Sequence, residues 1–175
     1  MPTEKEIIQT VKNWIANFII QYNLCPFAKK PFVQNKISYI VYESEDLEEL
    51  ATILQQTFTD LQTISRSSLE TTIIILPNLL QNFNDYLAFL EVANRLIFAL
   101  RLEGIIQIAS FHPNYQFAGT NKEDVTNYTN RSPFPLIHLL REDSVTEAVT
   151  HYEDIEEIPE RNMELMRQLR KDGKI

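Results

Sequence analysis

At 175 residues the chain fits one globular domain over 1–175, long enough to bury roughly 70% of its unfolded surface. Its 44% hydrophobic content supplies a core, whereas three glycines, with no GxGxxG and no P-loop, exclude the glycine-loop nucleotide sites. A formal charge of −8 opposes nucleic-acid binding, and the single Cys25 excludes an internal disulfide and a CxxC redox or zinc pair.

The chain opens on Thr3 and Glu6, a T-x-x-E capping box that starts a helix. Ile7, Ile8, Val11, Trp14, Ile15, Phe18 and Ile19 then recur at helical spacing and predict a core-facing stripe. The opposite face is not basic, which argues against a membrane-surface helix. No apolar run approaches a membrane span, and the first residues have neither the basic nor the apolar region of a signal peptide. A reduced, cytoplasmic protein without membrane or nucleic-acid partners is the expectation, with its oligomeric state left open.

Asn23-Leu-Cys-Pro-Phe-Ala-Lys-Lys-Pro31 follows as a rigid, locally cationic segment. Lys29 and Lys30 would favour the Cys25 thiolate and hence a nucleophile, while the plainer expectation is a small buried apolar side chain. Ile37 to Glu43 reads as a strand, and Ser44 as the cap of a helix with Leu47, Leu50, Ala51, Leu54, Phe58 and Leu61 inward. Thr71 to Leu76, stopped by Pro77, reads as a central strand buried on both faces. A helix from Asn82 to Leu102 turns Leu87, Leu90, Ala93 and Ile97 inward, with Gly104 where a helix C-cap is wanted. Ile105 to Phe111 and Leu136 to Leu140 are the third and fourth strands. A short helix starts at Asp143 or Ser144, and Pro159 lies in the first turn of the last one. The charge run Glu153 to Glu160 reads as a solvated segment, and Arg161, Arg167, Arg170 and Lys171 complement the final helix dipole.

The element order α-β-α-β-α-β-loop-β-α-α predicts an α/β fold of mixed α+β type. It has a four-stranded mixed sheet with helices packed on its faces, and a last strand free to return antiparallel. Thioredoxin-like domains share the β-α-β-α-β-β-α order, but Cys25 precedes the first strand here, which argues against that redox chemistry.

The loop between the last two strands is far longer than a turn requires, and it is too aromatic for a disordered segment. His112 ends a strand, where a general acid/base is often presented, and a buried, backbone-bonded histidine is the alternative. His138 lies within the last strand, with Leu140 on its face and Ile137, Leu139 and Arg141 on the other. The two histidines match no metal-ligand spacing, so neither metal nor cofactor is predicted. Asn127, Asn130, Arg131 and Ser132 are suited to an anion cradle or, alternatively, to bonding the loop's own backbone. Tyr115, Phe117, Tyr128 and Phe134 either wall a pocket or anchor the loop.

Asn-Leu-Cys-Pro-Phe-Ala at 23–28, Ser-Phe-His-Pro at 110–113 and Tyr-Gln-Phe-Ala-Gly-Thr at 115–120 resemble a bacterial family, the domain of unknown function numbered 1415. Asp-Val-Thr-Asn-Tyr-Thr-Asn-Arg-Ser-Pro at 124–133 and His-Leu-Leu-Arg at 138–141 extend the resemblance over nearly the whole chain. It implies a bacterial cytoplasmic protein and no mechanism.

Three functional expectations follow. The first is an enzyme acting on a small anionic metabolite, with Cys25 as nucleophile and His112 as acid/base. Arg131, with Asn127, Asn130, Ser132 and Tyr115, would bind its carboxylate or phosphate. The second is a non-catalytic module binding a small ligand in the same place. The third is a protein-interaction domain whose long loop is a structural clasp.

Overall fold

The computed structural model describes residues 2–152 and 155–175. Its first helix, α1, spans Glu4–Trp14 and runs directly into π-helical turns over Ile15–Ile20. The capping box is formed, since the Thr3 side chain accepts from the Glu6 N–H and Glu6 returns the bond to Thr3. Helix α2 (Lys29–Val33) precedes strand β1 (Ile37–Val41), α3 (Leu47–Thr63) and β2 (Thr71–Ile75). Then come α4 (Phe83–Ala99), β3 (Ile106–Phe111), a 3-10 segment (Val125–Asn130) and β4 (Leu136–Arg141). The chain closes with α5 (Glu142–Thr150), a 3-10 turn (Ile155–Glu157) and α6 (Ile158–Lys171).

The sheet is four-stranded and mixed, in the order β1-β2-β4-β3. β1 and β2 are parallel, and β4 runs antiparallel to both its neighbours. The last strand therefore returns between β2 and β3 and splits that β-α-β unit. β2 is buried along its whole length, as its apolar sequence requires.

Alternation assigns the two faces. Ile74 and Leu76 of the β2 region, with Ile137 and Leu139 of β4, pack under α3 and α4. Ile73, Ile75 and Leu136 face Ile7 and Val11 of α1 and Ile15 of the π-helical turns. A third cluster joins Ile19 and Leu24 to Met166 and Leu169 of α6, so the last helix is docked on the end of the first. Each fully buried aliphatic side chain contributes roughly 1.5–3 kcal/mol, and packing of this kind rather than helix propensity dominates.

Several local expectations are corrected. Asp46, not Ser44, caps α3, its carboxylate accepting from the Glu48 and Glu49 N–H groups. Leu47 and Leu87 are exposed, because the inward stripes begin at Leu50 and Tyr86. α4 ends before Gly104: Arg101 takes the left-handed position at φ 57°, while Leu102 N–H bonds Ile97 O and Arg101 N–H bonds Phe98 O. This is a Schellman closure built on arginine, a residue that sequence reasoning does not place there. α5 begins at Glu142, one or two residues before the expected start. Glu153 and Asp154 of the charge run lie outside the described residues, and from Ile158 the remainder is helical.

Two side chains tie the sheet to its helices. The buried Tyr86 hydroxyl donates to Leu136 O and accepts from Phe111 N–H, closing the end of the β3–β4 ladder. Arg141 donates to the carbonyls of Leu61, Ile64 and Leu69, taking up carbonyls at and beyond the C-terminus of α3. Among the described residues, no helix is long and apolar enough to cross a membrane.

Candidate functional site

The loop after β3 is built as a self-bonded unit. Asp124 caps the 3-10 segment through Thr126, whose side-chain hydroxyl and backbone N–H hold the carboxyl below its ordinary pKa. Asn127 then sits fully buried. Its Oδ1 accepts from Phe117 N–H at 2.9 Å and lies 2.9 Å from Thr120 Oγ1, whose one proton it shares with Phe117 O at 2.8 Å, and its Nδ2 donates to Asn121 O at 2.8 Å. One amide thus closes a loop of about ten residues. Asn130 donates from Nδ2 to Ser110 O at 3.0 Å, and its own carbonyl accepts from His112 N–H. Ser132 Oγ donates to Phe134 O at 2.6 Å. Three members of the predicted cradle, Asn127, Asn130 and Ser132, thus bond the backbone of the loop or of the β3 strand before it.

His112 is completely buried. Nδ1 accepts from Asn114 N–H at 2.9 Å, and Nε2 faces Leu80 O at 3.1 Å. A carbonyl can only accept, so the ring is the neutral Nε2–H tautomer. Desolvation by burial pushes its pKa below the ordinary value, against the opposing effect of backbone groups at Leu80 and Gln81. Its ring centroid lies 5.2 Å from Phe83 and 5.0 Å from Tyr86, and the aromatic packing continues through Phe83 to Tyr115 and Phe117. Tyr115 therefore anchors the loop on α4; its hydroxyl meets Ser110 Oγ at 3.3 Å.

Cys25 is exposed, on the segment between α1 and α2. Its thiol is pushed up from its ordinary value by desolvation, which outweighs the lowering effect of the backbone at Phe27 and Ala28. Lys29 and Lys30, expected to favour the thiolate, are both exposed. Among the described residues no hydrogen bond joins Cys25 to His112, whose ring nitrogens are both engaged with backbone.

His138 lies in β4 opposite Ile73 and Ala109. Thr71 Oγ1 spends its proton on Leu139 O, so the 2.8 Å contact to His138 Nε2 is donated by the imidazole. Burial lowers its pKa to about 4. Among the described residues no three His, Cys, Asp or Glu side chains converge to hold a metal ion.

Arg131 differs from its neighbours. Nε donates to Tyr115 O at 3.3 Å and Nη2 to Lys122 O at 2.6 Å, with the guanidinium 4.6 Å from the Tyr128 ring centroid. No carboxylate pairs with it among the described residues. It borders an open cavity of about 350 Å³ lined by Trp14, Phe18, Pro113, Tyr128, Arg131 and Ser132. Sequence reasoning missed Trp14, Phe18 and Pro113 as lining. Trp14 and Phe18 read there as core stripe, and the π-helical turns beginning at Ile15 carry no sequence signature.

The sequence model of one family, described as a protein of unknown function (DUF1415), matches residues 6–174. No curated protein and no solved structure matches the chain.

Proposed function

For a chain that belongs to the DUF1415 family, we infer a non-catalytic binding role, with a small anionic ligand of flat, apolar body held in the Trp14–Arg131 cavity. One observation carries the reading: Arg131 is fixed by two backbone carbonyls and the Tyr128 ring, yet among the described residues no acid pairs with it. A guanidinium held in this way loses little side-chain entropy when it clamps a carboxylate or phosphate. Trp14, Phe18, Pro113 and Tyr128 offer an apolar wall, and about 350 Å³ is at the small end of ligand pockets. In this reading the remainder of the loop is the clasp that positions Arg131, and the protein works in the reduced cytoplasm with Cys25 as a thiol.

Trp14 is the only tryptophan and lines this cavity, so the protein's tryptophan emission comes from its wall. Titration with a panel of aromatic carboxylates and phosphate monoesters is expected to change Trp14 emission saturably, while the matching uncharged amides leave it unchanged. Arg131→Lys, which keeps the charge but loses the fork, is expected to weaken binding about tenfold, or 1.4 kcal/mol. Equal binding of acid and amide, or no response to any member of the panel, would sink the reading.

A further inference from the structure

The two edges of the sheet differ. On β3, Ile106 N–H is taken by Leu102 O and Ser110 O by Asn130, so the outer edge is closed at both ends. Among the described residues no such bond covers the outer edge of β1. Tyr42 N–H bonds Ile75 O, and Lys36 O accepts from Glu70 and Thr71 N–H, so even-numbered residues bond toward β2. By alternation, the backbone groups of Ile37, Tyr39 and Val41 are aimed at the free edge. The strand, Ile-Ser-Tyr-Ile-Val, is half-buried throughout and contains no proline or charge, the devices that commonly guard an edge.

The edge is also self-complementary. Antiparallel pairing of two β1 strands about Tyr39 sets Ile37 opposite Val41 and Tyr39 opposite Tyr39. That register satisfies all three outward N–H groups and all three outward carbonyls of each strand. Charge runs the same way: Lys36 precedes the strand, while Glu43, Glu45 and Asp46 follow it. Antiparallel pairing brings the basic start of each strand to the acidic end of the other, which parallel pairing does not. At that start lies a cavity of about 250 Å³ lined by Lys12, Phe32, Asn35, Ile37 and Tyr39, with Lys12 Nζ 5.0 Å from the Tyr39 ring centroid. In this register Glu43 of the second copy falls opposite Asn35, beside Lys12.

We propose that two copies of this chain pair antiparallel through their β1 edges about a two-fold axis at Tyr39, forming one continuous eight-stranded sheet. Two five-residue strands make a small interface, so the dimer dissociates in the range of about 1–100 μM. The test is sedimentation of the full chain over a concentration series. Wild type is expected to shift from monomer to dimer, and Tyr39→Lys, which opposes two ammonium groups on the axis, to weaken dimerisation about a hundredfold with unchanged far-UV circular dichroism. A wild type that stays monomeric, or a folded Tyr39→Lys that dimerises equally well, overturns the proposal. Should Tyr39→Lys fail to fold, Tyr39→Cys in a Cys25→Ser background replaces it. A disulfide-linked dimer after mild oxidation supports the register, and monomer alone rejects it.

Discussion

Replacing His112 by alanine is expected to destabilise the domain by about 3–5 kcal/mol in urea unfolding, among the largest losses of any single substitution here. The ring fills a site between Phe83 and Tyr86, so its removal leaves a cavity in the wall beneath α4. It also strands the Asn114 N–H and the Leu80 carbonyl, both of which spend their hydrogen bond on the imidazole. Leu80 is itself held at φ 57°, so the histidine pins a strained turn before α4 to the start of the long loop. A histidine that merely offered a proton at a site edge would cost under about 1 kcal/mol on removal. The stability measurement therefore separates an architectural histidine from a presented acid/base.

Asn127→Ala is the second large effect, about 2–4 kcal/mol, because Phe117 N–H loses its buried acceptor while Thr120 Oγ1 keeps only Phe117 O and Asn121 O keeps only Asp124 N–H. Phe117 N–H, Thr120 Oγ1–H and Asn121 O converge on that amide, so the stretch 117–121 loses its tether. Limited proteolysis is expected to cut the variant between Tyr115 and Asp124 under conditions that leave the wild type whole. Asn127→Asp keeps the two acceptor contacts but opposes a carboxylate to Asn121 O, and is expected to fall between wild type and alanine. An asparagine projecting into a ligand cradle would change stability by less than about 0.5 kcal/mol.

The elements that were legible in the sequence are those whose hydrophobic period is long and regular. The α1 stripe, the α3 stripe from Leu50 onward and the all-apolar β2 each reappear as predicted, because burying one face is the term that selects them. What failed to be read lies at element ends. The Schellman closure on Arg101 and the cap at Asp46 depend on a few local hydrogen bonds that compete closely with alternatives one or two residues away. Strand order was likewise out of reach: β4 enters between β2 and β3 through contacts remote in sequence.

At the candidate site, residue types were legible and their roles were not. Asn, Ser and His carry donors and acceptors suited equally to a ligand or to a backbone, and only the fold decides which is nearer. Asn127, Asn130, Ser132 and His112 bond backbone, whereas Arg131 pairs with no carboxylate among the described residues. The apolar wall was invisible for the opposite reason. Trp14 and Phe18 satisfy a core stripe, and only the π-helical turns after Trp14 and the return of Pro113 and Tyr128 reveal a cavity beside them.

That the loop is a self-bonded clasp, with only Pro113, Tyr128, Arg131 and Ser132 turned to the cavity, is tested most directly by a pH titration of the protein with 15N-labelled histidine, followed by NMR. His112 is expected to be the neutral Nε2–H tautomer, with a slowly exchanging ring proton and a midpoint below the ordinary 6.5. A His112 that titrates at or above that value, or that carries its proton on Nδ1, would contradict the account. It would return His112 to the role of a presented acid/base.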